Sequence, residues 1–349
     1  MLIYFAVLSA VVLLINLIYA EIVMRTKEKH RVTGYAEIYL GKPGKIITIL
    51  STIFGLGGSL FAYFVVGGGF LGSLLSPVLG GGHLFYMLLF LLCGIILIYA
   101  DIKSIAKIEV LGLILFFIIL LSLFLKGRFF INLDNLFTQI DFFSRPLFLP
   151  YGAVLFSLGG AALIPEVVEI MSKQPNNVKK LIPLSSLIVA ITYLIFIVLV
   201  LGVTGQNTTN EAIAGLKSFL GNDIIALGLF FGVLTTFTSF ITLGLTFKKI
   251  LWYDLKINPK FSWLIVSLLP PTLYILGLKD FIKIIGLIGG VLLGAEGIII
   301  ILAYLKSKKQ SSNIPAWSLN LPKTIIYSLI LFLTLGIGYE IFYFITNSI

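Results

Sequence analysis

The chain has 349 residues, 59% hydrophobic and 11% charged, with a formal net charge of +10 and a mean hydropathy of +1.10. Soluble domains run at about 45–50% apolar and about 25% charged, so this composition excludes a soluble fold and describes a chain solvated by lipid. The positive charge is unevenly placed along the chain, which reads as a topology signal and not as a surface for nucleic acid.

Ten apolar runs follow one another, at 2–23, 46–75, 84–100, 108–125, 148–171, 181–204, 223–247, 261–278, 284–305 and 325–345. A bilayer requires about 20 apolar residues per helix, so the run at 84–100 is short and the run at 46–75 is long enough to tilt steeply. The fold class is an all-α polytopic membrane protein, with one transmembrane domain over 1–349. Alternate loops, counted from the first, hold 19 of the 25 Lys and Arg residues. The positive-inside rule places those loops in the cytoplasm and both termini of this chain outside.

The first run ends at Glu21 and Arg25. It has no basic start and no small-residue cleavage site, so it reads as a mature span and not as a signal peptide. The basic loop Thr26 to Lys45 has room for a short surface helix through Thr33–Leu40, with His30 solvated among the charges. In the second run, Gly55, Gly57, Gly58 and Gly67 to Gly69 permit close backbone approach. Tyr63 is a polar-tipped aromatic at mid-span that needs a hydrogen-bond partner or a cavity. After Gly80-Gly81-Gly82, His83 reads as a solvated loop histidine, and Cys93, the one cysteine, as a small buried apolar residue. Segment 126–147 interleaves Phe129, Phe130, Phe137, Phe142 and Phe143 with Asp134, Asp141 and Arg145. That pattern fits a segment lying on the outer interface, as a lipid anchor or as the cover of a vestibule.

The fifth run combines features that a lipid-facing helix avoids: Gly159-Gly160, Pro165, Glu166 and Glu169. Irregular backbone at membrane depth is tolerated only against protein or a water-filled cavity. The run is therefore expected to break near Gly159-Gly160, and interrupted helices are where secondary transporters build their sites. Close packing of two helices across the glycines is the alternative. Glu169 and Lys173 are spaced to pair on one helix face. Glu166, one turn deeper, is a candidate gate or proton site.

The seventh run carries Thr235, Thr236, Thr238, Ser239 and Thr242. Hydroxyl oxygens on one stripe suit a small hard cation, with Thr235, Thr238 and Ser239 as ligands. Back-bonding of each hydroxyl to the i−4 carbonyl is the structural alternative. The eighth run contains Pro270-Pro271, a kink signal. The ninth has a small-residue face at Gly286, Gly290, Gly294 and Gly297, with Glu296 beside it as a second proton candidate or a structural hydrogen-bonding group. Glu340, late in the last run, carries the least weight. An enzyme fits poorly: both histidines are in loops, no Cys/His cluster exists, and no Gly-rich phosphate loop precedes a helix. No cofactor is expected.

Several stretches together resemble the amino acid/auxin permease family and the bacterial tryptophan/tyrosine permeases, within the amino acid–polyamine–organocation superfamily. They are Tyr19-Ala20-Glu21 through Thr33-Gly34-Tyr35-Ala36-Glu37, Ala62-Tyr63 with Gly67-Gly68, Phe156-Ser157 through Gly159-Gly160 and Pro165, and Thr238-Ser239-Phe240 with Leu243-Gly244-Leu245. The resemblance implies a leucine-transporter-like five-plus-five inverted repeat with one extra C-terminal helix. Here the counterpart of the family's first helix is missing, because Met1 opens into the second. It also implies secondary active uptake of a neutral or aromatic amino acid, by alternating access in a prokaryotic-type cell membrane, with Na+ or H+ as coupling ion. Phe156, Ser157, Gly159 and Gly160 would line the substrate site through freed backbone groups, Tyr63 would contact the substrate, and Thr238 and Ser239 would hold sodium. Gly69 stands where many members carry an acidic or polar residue. The alternative is a transport-dead subunit or amino acid sensor that keeps the fold. The expected partners are the amino acid and the lipid bilayer; nothing in the sequence sets the oligomeric state.

Overall fold

A computed structural model describes residues 2–100, 105–136, 148–209, 212, 214–278, 281–311 and 313–347. The described residues are mostly helical, with no strand among them. The helices are α1 (Leu2–Arg25), α2 (Val32–Leu79), α3 (His83–Tyr99), α4 (Ile105–Gly127), α5 (Leu133–Leu136), α6 (Tyr151–Leu158), α7 (Ile164–Ile170), α8 (Val178–Thr204), α9 (Lys217–Leu220), α10 (Asn222–Lys249), α11 (Pro259–Ile275), α12 (Phe281–Leu287), α13 (Gly294–Gln310) and α14 (Lys323–Asn347). Two stretches are π-helical: Ile250–Asp254, after α10, and Ile288–Leu293, between α12 and α13.

By length and composition, eight helical stretches among the described residues can cross a membrane: Tyr4–Arg25, Val32–Leu79, Gly112–Phe130, Tyr151–Lys173, Pro175–Asn207, Ile225–Trp252, Phe281–Gln310 and Lys323–Thr346. The runs at 84–100 and 261–278 form α3 and α11, each of 17 residues. The chain is thus a multi-pass, all-α membrane protein.

Local sequence sets most boundaries. Gly41 adopts φ +73°, a left-handed conformation that costs glycine little, and it separates the arm Val32–Leu40 from the long remainder of α2. The surface helix expected through Thr33–Leu40 is that arm. Asn258 caps α11 by accepting from the Lys260 N–H at 2.9 Å, and Pro259 fills the first helical position, where no donor is needed. Much of the 126–147 segment, including Phe137, Asp141, Phe142, Phe143 and Arg145, lies outside the described residues. Its earlier part forms a 3-10 turn at Arg128–Phe130 followed by α5.

The chain divides into two compact units. The first contains Met1–Gly55, Phe142–Tyr193 and Ile285–Ile349. In it α1 packs on α6, α7 and α13, and the Ile288–Leu293 stretch packs on α6 and α14. The backbones of α6 and this stretch meet through glycines. A Cβ on Gly152 would collide with the Gly286 carbonyl, and one on Gly289 with the Gly152 carbonyl. Near the end of α1, the fully buried Glu21 accepts from Arg25, from Ser318 Oγ at 2.8 Å and from the Leu319 N–H at 2.6 Å. Glu21 thereby satisfies the segment that leads into α14.

The second unit contains Leu56–Asp141 and Leu194–Ile284. Here α10 packs on α3, α4 and α11. One apolar core forms around Leu123, Leu199, Val203, Leu220 and Leu229. Phe90 of α3 packs edge-on against Phe237 and Phe240 of α10, with centroids 5.3 and 5.6 Å apart. Burial on α3 falls on Tyr86, Met87, Phe90, Leu91, Gly94 and Ile98. Cys93 lies off that face and is exposed, so the sequence expectation of a buried cysteine is corrected. A helix this apolar gives no contrast in sequence between its buried face and its outer face.

Candidate functional site

In the first unit, the fifth apolar run breaks at its diglycine. Helix α6 ends at Leu158, Gly159 is extended at φ −61°, ψ 108°, and Gly160 sits at φ −138°, ψ 5°. A 3-10 turn, Ala161–Leu163, then leads into α7, with Pro165 near its start. Such a break leaves the last carbonyls of one helix and the first N–H groups of the next turn outside the ladder. Part of this demand is met locally: the Gly159 N–H donates to the Phe156 carbonyl at 3.3 Å and the Leu163 N–H to the Gly160 carbonyl at 3.1 Å. Phe156, Ser157 and Gly160 are half-buried and Gly159 is exposed. Ser157 Oγ donates to the Val154 carbonyl at 2.9 Å. A methyl on Gly159 would press on Leu293 at 3.0 Å, whereas one on Gly160 would meet nothing closer than the Leu158 carbonyl at 4.0 Å.

Glu296 belongs to the same unit. It stands in the first turn of α13, half-buried, with Tyr19 of α1 in electrostatic contact. One turn earlier on α1, Asn16 is 6% exposed and its Oδ1 is buried without a hydrogen-bond partner. Glu166 and Glu169, on α7, both pair with Arg31: Glu166 Oε1 lies 3.0 Å from Nη2 and Glu169 Oε1 3.2 Å from Nη1. Lys29 lies 3.4 Å from the other Glu169 oxygen. This corrects two expectations. Helix α7 ends at Ile170, before Lys173 can complete a helical pair, so Glu169 is held by Lys29 and Arg31. Glu166 is a half-exposed ion-pair partner and not a deep carboxylate. His30, expected to be simply solvated, faces Glu28 at 3.1 Å and packs edge-on against Tyr35.

The second unit holds the other predicted residues. Tyr63, half-buried on α2, finds the partner its hydroxyl requires in Ser239 of α10. Helix α10 runs unbroken from Asn222 to Lys249. Thr235 donates to the Phe231 carbonyl at 3.0 Å, Thr236 to the Gly232 carbonyl at 2.6 Å and Thr238 to the Thr235 carbonyl at 3.1 Å. The threonines therefore satisfy their protons on their own helix, and each oxygen keeps a lone pair. Tyr63, Thr235, Thr238 and Ser239 belong to this unit; Phe156, Ser157, Gly159, Gly160, Glu166 and Glu296 belong to the first.

One residue passed over in the sequence acquires a defined role. Glu340 of α14 is 5% exposed, and its Oε1 accepts the Gly152 N–H of α6 at 3.0 Å. The signal available in the sequence was a carboxylate within an apolar run, and its position near the end of that run hid it. No group of three or more metal-ligating side chains occurs among the described residues.

A family model described as the tryptophan/tyrosine permease family matches residues 1–340. A comparison with curated proteins found no match.

Proposed function

The chain belongs to the tryptophan/tyrosine permease family, whose members carry amino acids across membranes, and we propose that it takes up a neutral or aromatic amino acid by ion-coupled symport through alternating access. The observation that carries this reading is the break at Gly159-Gly160 inside an otherwise apolar run. Freed backbone groups there offer acceptors and donors to the carboxylate and ammonium of an amino acid. Phe156 and Ser157 supply the last turn before the break. Thr235, Thr238 and Ser239 are the sodium ligands if sodium drives uptake; Glu296 is the first candidate if protons do, with Glu166 as a gate. In this reading the positive-inside rule favours a cytoplasmic side for the Arg31–Glu166–Glu169 cluster.

The test is uptake of radiolabelled tryptophan and tyrosine into proteoliposomes under an imposed sodium or proton gradient. We expect gradient-driven accumulation, lost at least about tenfold in Gly160→Ala with folding intact, because the methyl enters open space where substrate would lie. Uptake by Gly160→Ala equal to wild type would overturn the placement of the site. Uptake indifferent to both gradients would overturn the symport reading.

A further inference from the structure

Gly152 is the second residue of α6, so its N–H has no acceptor within the helical ladder. The residue at the cap position, Pro150, brings no side-chain acceptor. The acceptor comes from a helix that follows almost 190 residues later: Glu340 Oε1, at 3.0 Å. A carboxylate at a helix N-terminus also interacts favourably with the helix dipole.

The slot that receives Glu340 is built from glycine. A Cβ on Gly290 would collide with the Glu340 Cγ, one on Gly286 would meet Oε2 at 3.4 Å, and one on Gly152 would stand 2.6 Å from Oε1. The titratable groups in electrostatic contact with the carboxylate are tyrosines: Tyr4 from α1, Tyr151 from α6 and Tyr339 from α14. The Ile288–Leu293 stretch and the end of α12 present glycines to it. No cation pairs with Glu340 among the described residues, and the buried hydroxyls of Tyr4 and Tyr339 have no hydrogen-bond partner. A buried carboxylate without a counter-charge is costly when ionised, so its protonation state answers readily to its surroundings.

We propose that Glu340 is the positioning residue of the first half of the broken helix: it fixes the start of α6, and its charge state sets how firmly α6 is held as it runs to the break at Gly159-Gly160. Ionised, it makes a charge-assisted bond to Gly152; protonated, it makes a neutral bond of about half the strength. Helix α6 is eight residues long, a rod of about 12 Å, so a change at Gly152 is delivered to Phe156 and Ser157 little more than one turn away. This inference rests on the transport reading above, in which those residues line the substrate site.

Two measurements on the full chain in liposomes test it. The first is amide hydrogen exchange over Tyr151–Leu158 for wild type, Glu340→Gln and Glu340→Ala. We expect exchange faster by about tenfold in Glu340→Ala and less in Glu340→Gln, which keeps an oxygen acceptor, with α10 unchanged in both. Exchange over α6 equal to wild type in both variants overturns the capping role, and this result stands whether or not the protein transports. The second is the pH dependence of uptake. We expect the maximal rate of wild type to change about threefold or more between mildly acidic and mildly basic buffer, and that of Glu340→Gln to stay nearly flat, with KM within about twofold of wild type. An unchanged pH profile in Glu340→Gln means that Glu340 holds the fold without positioning the site, and the proposal fails. Absent wild-type uptake would count against the transport reading and leave the exchange result to decide the cap.

Discussion

The α6–α7 stretch and helix α10 are both apolar runs interrupted by residues that disfavour plain lipid-facing helix, yet one breaks and the other does not. Gly159-Gly160 followed by Pro165 opens the helix at Leu158. Five threonines and a serine leave α10 continuous over 28 residues. The difference lies in where the polar groups are. In the first case glycine withdraws side-chain packing and proline withdraws a donor, so the backbone itself is exposed. In the second the polar atoms are short hydroxyls within reach of the i−3 and i−4 carbonyls, and the helix absorbs them. A polar residue count alone does not locate a site; the relevant question is whether the backbone ladder survives.

This contrast can be tested by substitution, from large effects to small. Gly152→Ala forces a methyl onto the Gly286 carbonyl, where two backbones touch and neither can yield as a side-chain tip would. We expect it to destabilise by about 3 kcal/mol, the upper part of the overpacking range, seen as a lowered unfolding midpoint in detergent. A midpoint equal to wild type would mean that α6 is not tightly seated on the Ile288–Leu293 stretch. Ser239→Ala removes the partner of the Tyr63 hydroxyl. We expect a loss of about 1 kcal/mol together with a rise in the sodium concentration needed for half-maximal uptake. An unchanged sodium response would remove Ser239 from the ion site. Thr235→Val deletes only a hydroxyl bonded within its own helix. We expect its stability to stay within about 0.5 kcal/mol of wild type, so any loss of sodium dependence would report on ion binding alone.

What was legible in the sequence follows the same division. The all-helical membrane fold follows from long apolar runs, and the break from two adjacent glycines near a proline. The arm ending at Leu40 and the close-packed glycine face at Gly286 and Gly290 are also local signals, readable because glycine changes backbone geometry wherever it stands. Tyr63 could be recognised as needing a partner, but not which one. The features that escaped are long-range. Arg31 meets Glu166 across 135 positions and Glu340 meets Gly152 across 188, and no local pattern encodes such distances. Uniform hydropathy likewise concealed which way Cys93 faces. The π-helical stretch at Ile288–Leu293 gives no cue beyond its glycines.

The carboxylate of Glu21 has a consequence for how this protein is made. Glu21 is translated almost three hundred residues before Ser318 and Leu319, which supply two of its four hydrogen bonds. Until then Arg25 is the partner within reach on the same helix. The second unit has all its residues once Ile284 is made, whereas the first draws on the beginning, middle and end of the chain. The first unit can therefore be completed only after the second has all its residues. A nascent chain that stops before Ser318 leaves Glu21 with Arg25 as its partner and part of its carboxylate unsatisfied.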